Sequence, residues 1–133
     1  MAKTEAMAVV QQYIDAFNKG DSEAMASYFA VQGSILDGMA PHVWAGPDAA
    51  RHWYRDVLIE GEHHGATDYA LALGDVQRID INGESAYLVI SAVLTFALLG
   101  QAMETPGLFT VVLHNIDGSW LIRAWAWAKG ISL

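Results

Sequence analysis

The chain contains no cysteine, which excludes disulfides and thiolate metal sites and leaves the redox compartment unmarked. Basic residues are also scarce: seven Lys and Arg stand against fifteen Asp and Glu, scattered without forming a patch. A net charge of −8 distributed in this way argues against partners that are nucleic acids or anionic membranes. The longest apolar run, AYLVISAVLTFALL at 86–99, is 14 residues and carries Ser91 and Thr95, so it is too short to cross a bilayer as a helix. The opening MAKTEAMAVVQQ has neither a long apolar core nor a small-residue cleavage site, and the expectation is a soluble, cytoplasmic protein. With 53 % hydrophobic and 17 % charged residues in 133, the composition is that of a folded chain with one core, and a single domain over 1–133 is expected.

What is present is ordered by period. Ala6, Val9, Val10, Tyr13, Ile14 and Phe17 follow the spacing of one buried helical face, and Gly20 should cap that helix. Asp21 can cap a second, short helix over Ser22 to Ala30, with Met25, Tyr28 and Phe29 as its apolar side. GSILD reads as a short strand and GMAPHVWA as a loop. Gly46 and Pro47 open a third helix, striped by Ala50, Trp53, Tyr54, Val57 and Leu58 and ended by Gly61. From Ala66 the period falls to two, and turn signals at Asn82-Gly83, Gly100-Gln101 and Asp117-Gly118 divide four antiparallel strands in meander order. The fold class that follows is α+β, with helices over one face of a sheet and room for an apolar cavity between the layers.

Four stretches in order, YIDAFNKGDSEAMASYFA at 13–30, the strand ending in Asp37, WAGPDAARHWYRDVL at 44–58 and TVVLHNIDGSWLIRAWAWA at 110–128, resemble the SnoaL-like and ketosteroid-isomerase-like branch of the nuclear transport factor 2-like superfamily. That resemblance covers nearly the whole chain. It implies a cone of three helices on a curved, mostly antiparallel sheet around an apolar cavity. It also implies either a cofactor-independent acid and base enzyme of isomerase, cyclase or dehydratase type, or a non-catalytic domain that binds a small hydrophobic molecule or dimerises.

The resemblance places Asp37 at the general base and Tyr13 at the hydrogen-bond donor to an enolate oxygen. A carboxylate is suited to moving a proton between carbons beside a carbonyl, and a phenol carries a donor on an apolar body. The plain alternative for Asp37-Gly38 is a turn, and for Tyr13 it is core packing. Tyr54 matches the residue that supports the tyrosine, whereas Phe29 stands where the network's other tyrosine would be. Val111 is nearest to the protonated acid that serves the isomerases as a second donor, so that donor is missing. Side-chain alternation puts Leu121, Arg123, Trp125 and Trp127 on one face of the last strand, which makes Arg123 a cavity candidate in need of a carboxylate or an anionic ligand. Phe17, Phe29, Trp44, Trp53 and Tyr54 are the remaining candidate pocket residues. The five histidines show no metal-ligand spacing, and no metal and no tightly held cofactor are expected. The second face of 86–99, with Leu108 and Val112, supplies enough apolar surface to expect a sheet-to-sheet homodimer.

Overall fold

The computed structural model describes residues 1–130. Helix α1, Ala2–Lys19, buries Ala6, Val10, Tyr13, Ile14, Ala16 and Phe17 on one stripe and ends on left-handed Gly20 (φ 71°). Asp21 caps α2, Ser22–Ser27, its Oδ1 accepting from the Ala24 N–H at 3.0 Å. This second helix is shorter than the apolar pattern suggested. Phe29 instead opens β1, Phe29–Leu36, where it lies opposite Ile122 of the last strand. The expected loop after Asp37 contains a further short strand, β2, Val43–Ala45, paired antiparallel with the end of β1.

Helix α3 runs over Ala49–His64, beginning two residues after Pro47 and continuing one turn past Gly61. Gly61 is not a cap. A Cβ there would sit 2.9 Å from the Ala66 carbonyl oxygen and from the Tyr69 hydroxyl, so glycine is required by close packing, and Gly65 (φ 72°) provides the left-handed stop. His63 and His64 therefore lie in the last helical turn.

Strands β3, Ala66–Asn82, β4, Ser85–Leu98, β5, Gln101–Ile116, and β6, Ser119–Lys129, form the meander. The turns after β4 and β5 use paired positive-φ residues, Leu99-Gly100 and Asp117-Gly118, as two-residue hairpins with right-handed strand twist demand. The sheet order is β2-β1-β6-β5-β4-β3, and among the described residues only the β1–β6 pairing is parallel. Ala86, Leu88, Ile90 and Ala92 of β4 and Phe109, Val111 and Leu113 of β5 alternate inward and are buried. Asn18 ties α1 to this layer, donating to the Leu71 carbonyl at 3.0 Å and accepting its N–H at 2.8 Å.

The last strand departs from simple alternation. Val112 faces Ala124 but Leu113 faces Ile122, so Arg123 is an extra residue, a bulge. Trp120 and Ile122 before it and Trp125 after it are all buried. A period of two read straight through residues 120–127 therefore misassigns the first half of the strand, and Arg123 does not join Trp125 and Trp127 on the inner side.

Candidate functional site

Between α1, α3 and the inner sheet face lies a cavity of about 440 Å³, within the range typical of small-molecule sites. Tyr13 and Phe17 of α1, Trp53 of α3, Trp125 and Trp127 of β6, and Asp37 line it. Asp37 follows the last residue of β1, whose Ile35 is fully buried. Its backbone is held by the tight loop beyond it, the Asp37 N–H donating to the His42 carbonyl at 3.1 Å and the His42 N–H to that of Met39 at 2.9 Å.

Two indoles hold Asp37 and Tyr13. Trp53 Nε1 donates to Asp37 Oδ2 at 2.9 Å, while Oδ1 accepts from the Gly38 N–H at 2.8 Å. Trp125 Nε1 donates to the Tyr13 hydroxyl oxygen at 2.9 Å. The two indoles touch edge to face, 4.8 Å between centroids at 88°. The Tyr13 oxygen thus receives a donor, and its own proton has no other acceptor among the described residues. Burial pushes the Tyr13 phenol well above its ordinary value, against the smaller pull of the Trp125 N–H, so it stays protonated at neutral pH.

Four candidate residues lie elsewhere. Phe29 packs behind Tyr13, 5.6 Å between ring centroids, with Gly33 leaving room for its ring. Trp44 points its N–H at Asp56 Oδ2 (2.8 Å), pinning β2 to α3 and drawing the Asp56 carboxyl below the usual range. Tyr54 does not support Tyr13: its ring meets Phe17 edge on, and it lines a separate, more open cavity of about 420 Å³ beside Gly20. The support falls to Trp125. Arg123 lies outside the cavity walls because of the bulge, and among the described residues Asp37 forms no ion pair with it or with any other cation. Val111 is fully buried in the core.

Sequence reasoning missed Glu60, Tyr69, Phe109 and Lys129 as cavity residues. Glu60 continues the stripe of Trp53 and Val57 at helical spacing, and a stripe read from apolar residues alone passed over it. Tyr69 and Phe109 follow strand alternation once the register is known. No group of three or more His, Asp or Glu side chains comes together to hold a metal ion among the described residues. No helix there is long and apolar enough to cross a membrane.

Residues 6–126 match the model of the SnoaL-like domain family, and the chain belongs to that family. Solved structures share its fold at low identity. A ketosteroid isomerase-like protein from Erwinia carotovora atroseptica superposes with a TM-score of 0.78 at 18 % identity over 98 % of this chain and 97 % of that one. A hexachlorocyclohexane dehydrochlorinase from Novosphingobium barchaimii gives 0.84 at 11 % over 98 % and 87 %. A protein of unknown function with a cystatin-like fold from Nostoc punctiforme gives 0.74 at 16 % over 98 % and 92 %. No curated protein sequence matches it.

Proposed function

We propose that the cavity is a cofactor-independent acid and base site acting on a small hydrophobic carbonyl compound. Asp37 takes a proton from the carbon beside the carbonyl, Tyr13 donates its O–H to the enolate oxygen that forms, and the proton returns to a second carbon. The observation that carries this reading is the hydrogen-bond arrangement at Tyr13. Because Trp125 donates to the phenol oxygen, the phenol proton is the group left to offer a ligand, and a donor that itself accepts a hydrogen bond is the stronger for it. Trp53 orients the Asp37 carboxylate in the same way. Phe17, Trp53, Trp125 and Trp127 supply the apolar walls.

One feature favours the second reading, a ligand-binding domain without chemistry: Val111 offers no second donor to an oxyanion, and one such donor is worth about 100- to 1000-fold in rate. The two readings separate on a β,γ-unsaturated ketone whose shift to the conjugated enone is followed by absorbance. Asp37→Asn is expected to abolish turnover while ligand quenching of tryptophan fluorescence persists. Turnover that survives in Asp37→Asn removes Asp37 as the base, and binding without turnover in the unaltered protein selects the second reading.

The outer sheet face supports a homodimer. Tyr87 and Leu108 there are 39 % and 40 % exposed, with Val89, Val93 and Val112 half-buried around them. Four strands of this length span on the order of 900 Å², from roughly 3.3 Å per residue and 4.8 Å per strand. A stable interface buries about 800 Å² per partner.

A further inference from the structure

Glu60 is a carboxylate in the cavity wall that proton transfer at Asp37 does not use. It shares one stripe of α3 with Trp53 and Val57, and Trp53 is the residue whose N–H holds Asp37. Seven positions separate Trp53 from Glu60, about 10 Å along a helix at roughly 1.5 Å per residue. The wall therefore carries a second polar end two turns away from the first. Tyr69 of β3 completes that end, and after burial the charge of Glu60 is the next cause that raises its phenol. One Glu60 oxygen accepts from His64 Nε2 at 2.8 Å, and the other has no protein partner among the described residues. The Glu60 side chain is 50 % exposed, so it reaches the rim of the cavity.

Aromatic rings, among them Phe17, Phe109 and Trp125, line the same cavity. Ring faces attract cations, and carboxylates at either end repel anions. The one basic residue on the described walls, Lys129, is exposed and forms no ion pair among the described residues. We propose that the cavity takes an elongated apolar molecule bearing a protonated amine, the amine resting between Glu60 and Tyr69 while the opposite end reaches Asp37 and Tyr13. This inference rests on the reading of the cavity as a ligand site, and it names the class of ligand.

Three probes of one skeleton test it: biphenylmethylamine, biphenylmethanol and biphenylcarboxylate, titrated at neutral pH by calorimetry. The amine is expected to bind about tenfold more tightly than the alcohol, as a charge-assisted hydrogen bond at a half-exposed carboxylate allows, and the carboxylate more weakly than either. Glu60→Gln should bring the amine to the level of the alcohol in the same variant. Asp37→Asn should retain most of the preference. Equal binding of amine and alcohol, tightest binding of the carboxylate, or a preference that survives Glu60→Gln overturns the assignment. Failure of all three probes to bind overturns the ligand-site reading with it, whereas alcohol binding without amine preference overturns this inference alone.

Discussion

Replacing Trp125 with Phe should destabilise the fold through Tyr13 as much as through the lost ring. The Trp125 N–H is the hydrogen-bond partner of a phenol oxygen on a side chain only 1 % exposed. Leaving that oxygen unsatisfied costs about 1–3 kcal/mol. Shrinking an indole packed against Trp53 and Phe109, at 4.8 and 5.2 Å between centroids, leaves a void worth about 1–2 kcal/mol more. Trp125→Phe should therefore cost about 3 kcal/mol and lower Tm by about 10 °C for a chain of this size. Tyr13→Phe keeps the ring and strands the indole N–H, for about 1–2 kcal/mol. In the double variant neither polar group remains, so its loss should fall short of the sum by about 1 kcal/mol. Urea denaturation followed by far-ultraviolet circular dichroism measures all four corners of the cycle. Additivity within about 0.3–0.5 kcal/mol would refute the claim that the two side chains form one unit.

Two further outcomes follow from the same structure. The Tyr13 phenol is raised above its ordinary value of 10.0 by burial, so the folded state keeps a proton that the unfolded chain releases. That stability is full below about pH 10 and is lost as pH rises toward the folded-state value. The urea midpoint should fall as pH rises above about 10, and a Tyr13→Phe variant with the same slope would rule out Tyr13 as its source. On the outer sheet, Tyr87→Lys with Leu108→Lys should convert a dimer to a monomer in sedimentation at micromolar concentration, and an unaltered protein that sediments as a monomer refutes the interface.

Helix α1 was legible because six apolar residues at helical spacing admit no other element, and its Gly20-Asp21 junction carries both a stop and a start. The hairpins were legible from Gly83, Gly100 and Gly118, which all take positive φ, but two turns lie one residue from the dipeptides expected, at Gly83-Glu84 and Leu99-Gly100. Helix α3 was misread at both ends. Gly61 looks like a stop in one dimension, but it is glycine because Ala66 and Tyr69 of the strand that follows fold back and press on it. The second error, at Arg123, has a similar origin: a bulge is a relation between two strands, and no residue within TVVLHNIDGSWLIRAWAWA announces it.

By itself the sequence determined the class of fold, the order of the main elements, and the place of Tyr13 on the buried stripe of α1, because local periodicity and turn chemistry act over a few residues; Asp37 was singled out through the family resemblance. The tertiary structure alone decided which groups partner them. That Trp53 holds Asp37, that Trp125 in place of Tyr54 supports Tyr13, and that Arg123 stays outside depend on how strands pair and helices end. A hydrogen bond such as that between Tyr13 and Trp125 joins residues 112 positions apart, and only packing brings such donors and acceptors within 3 Å.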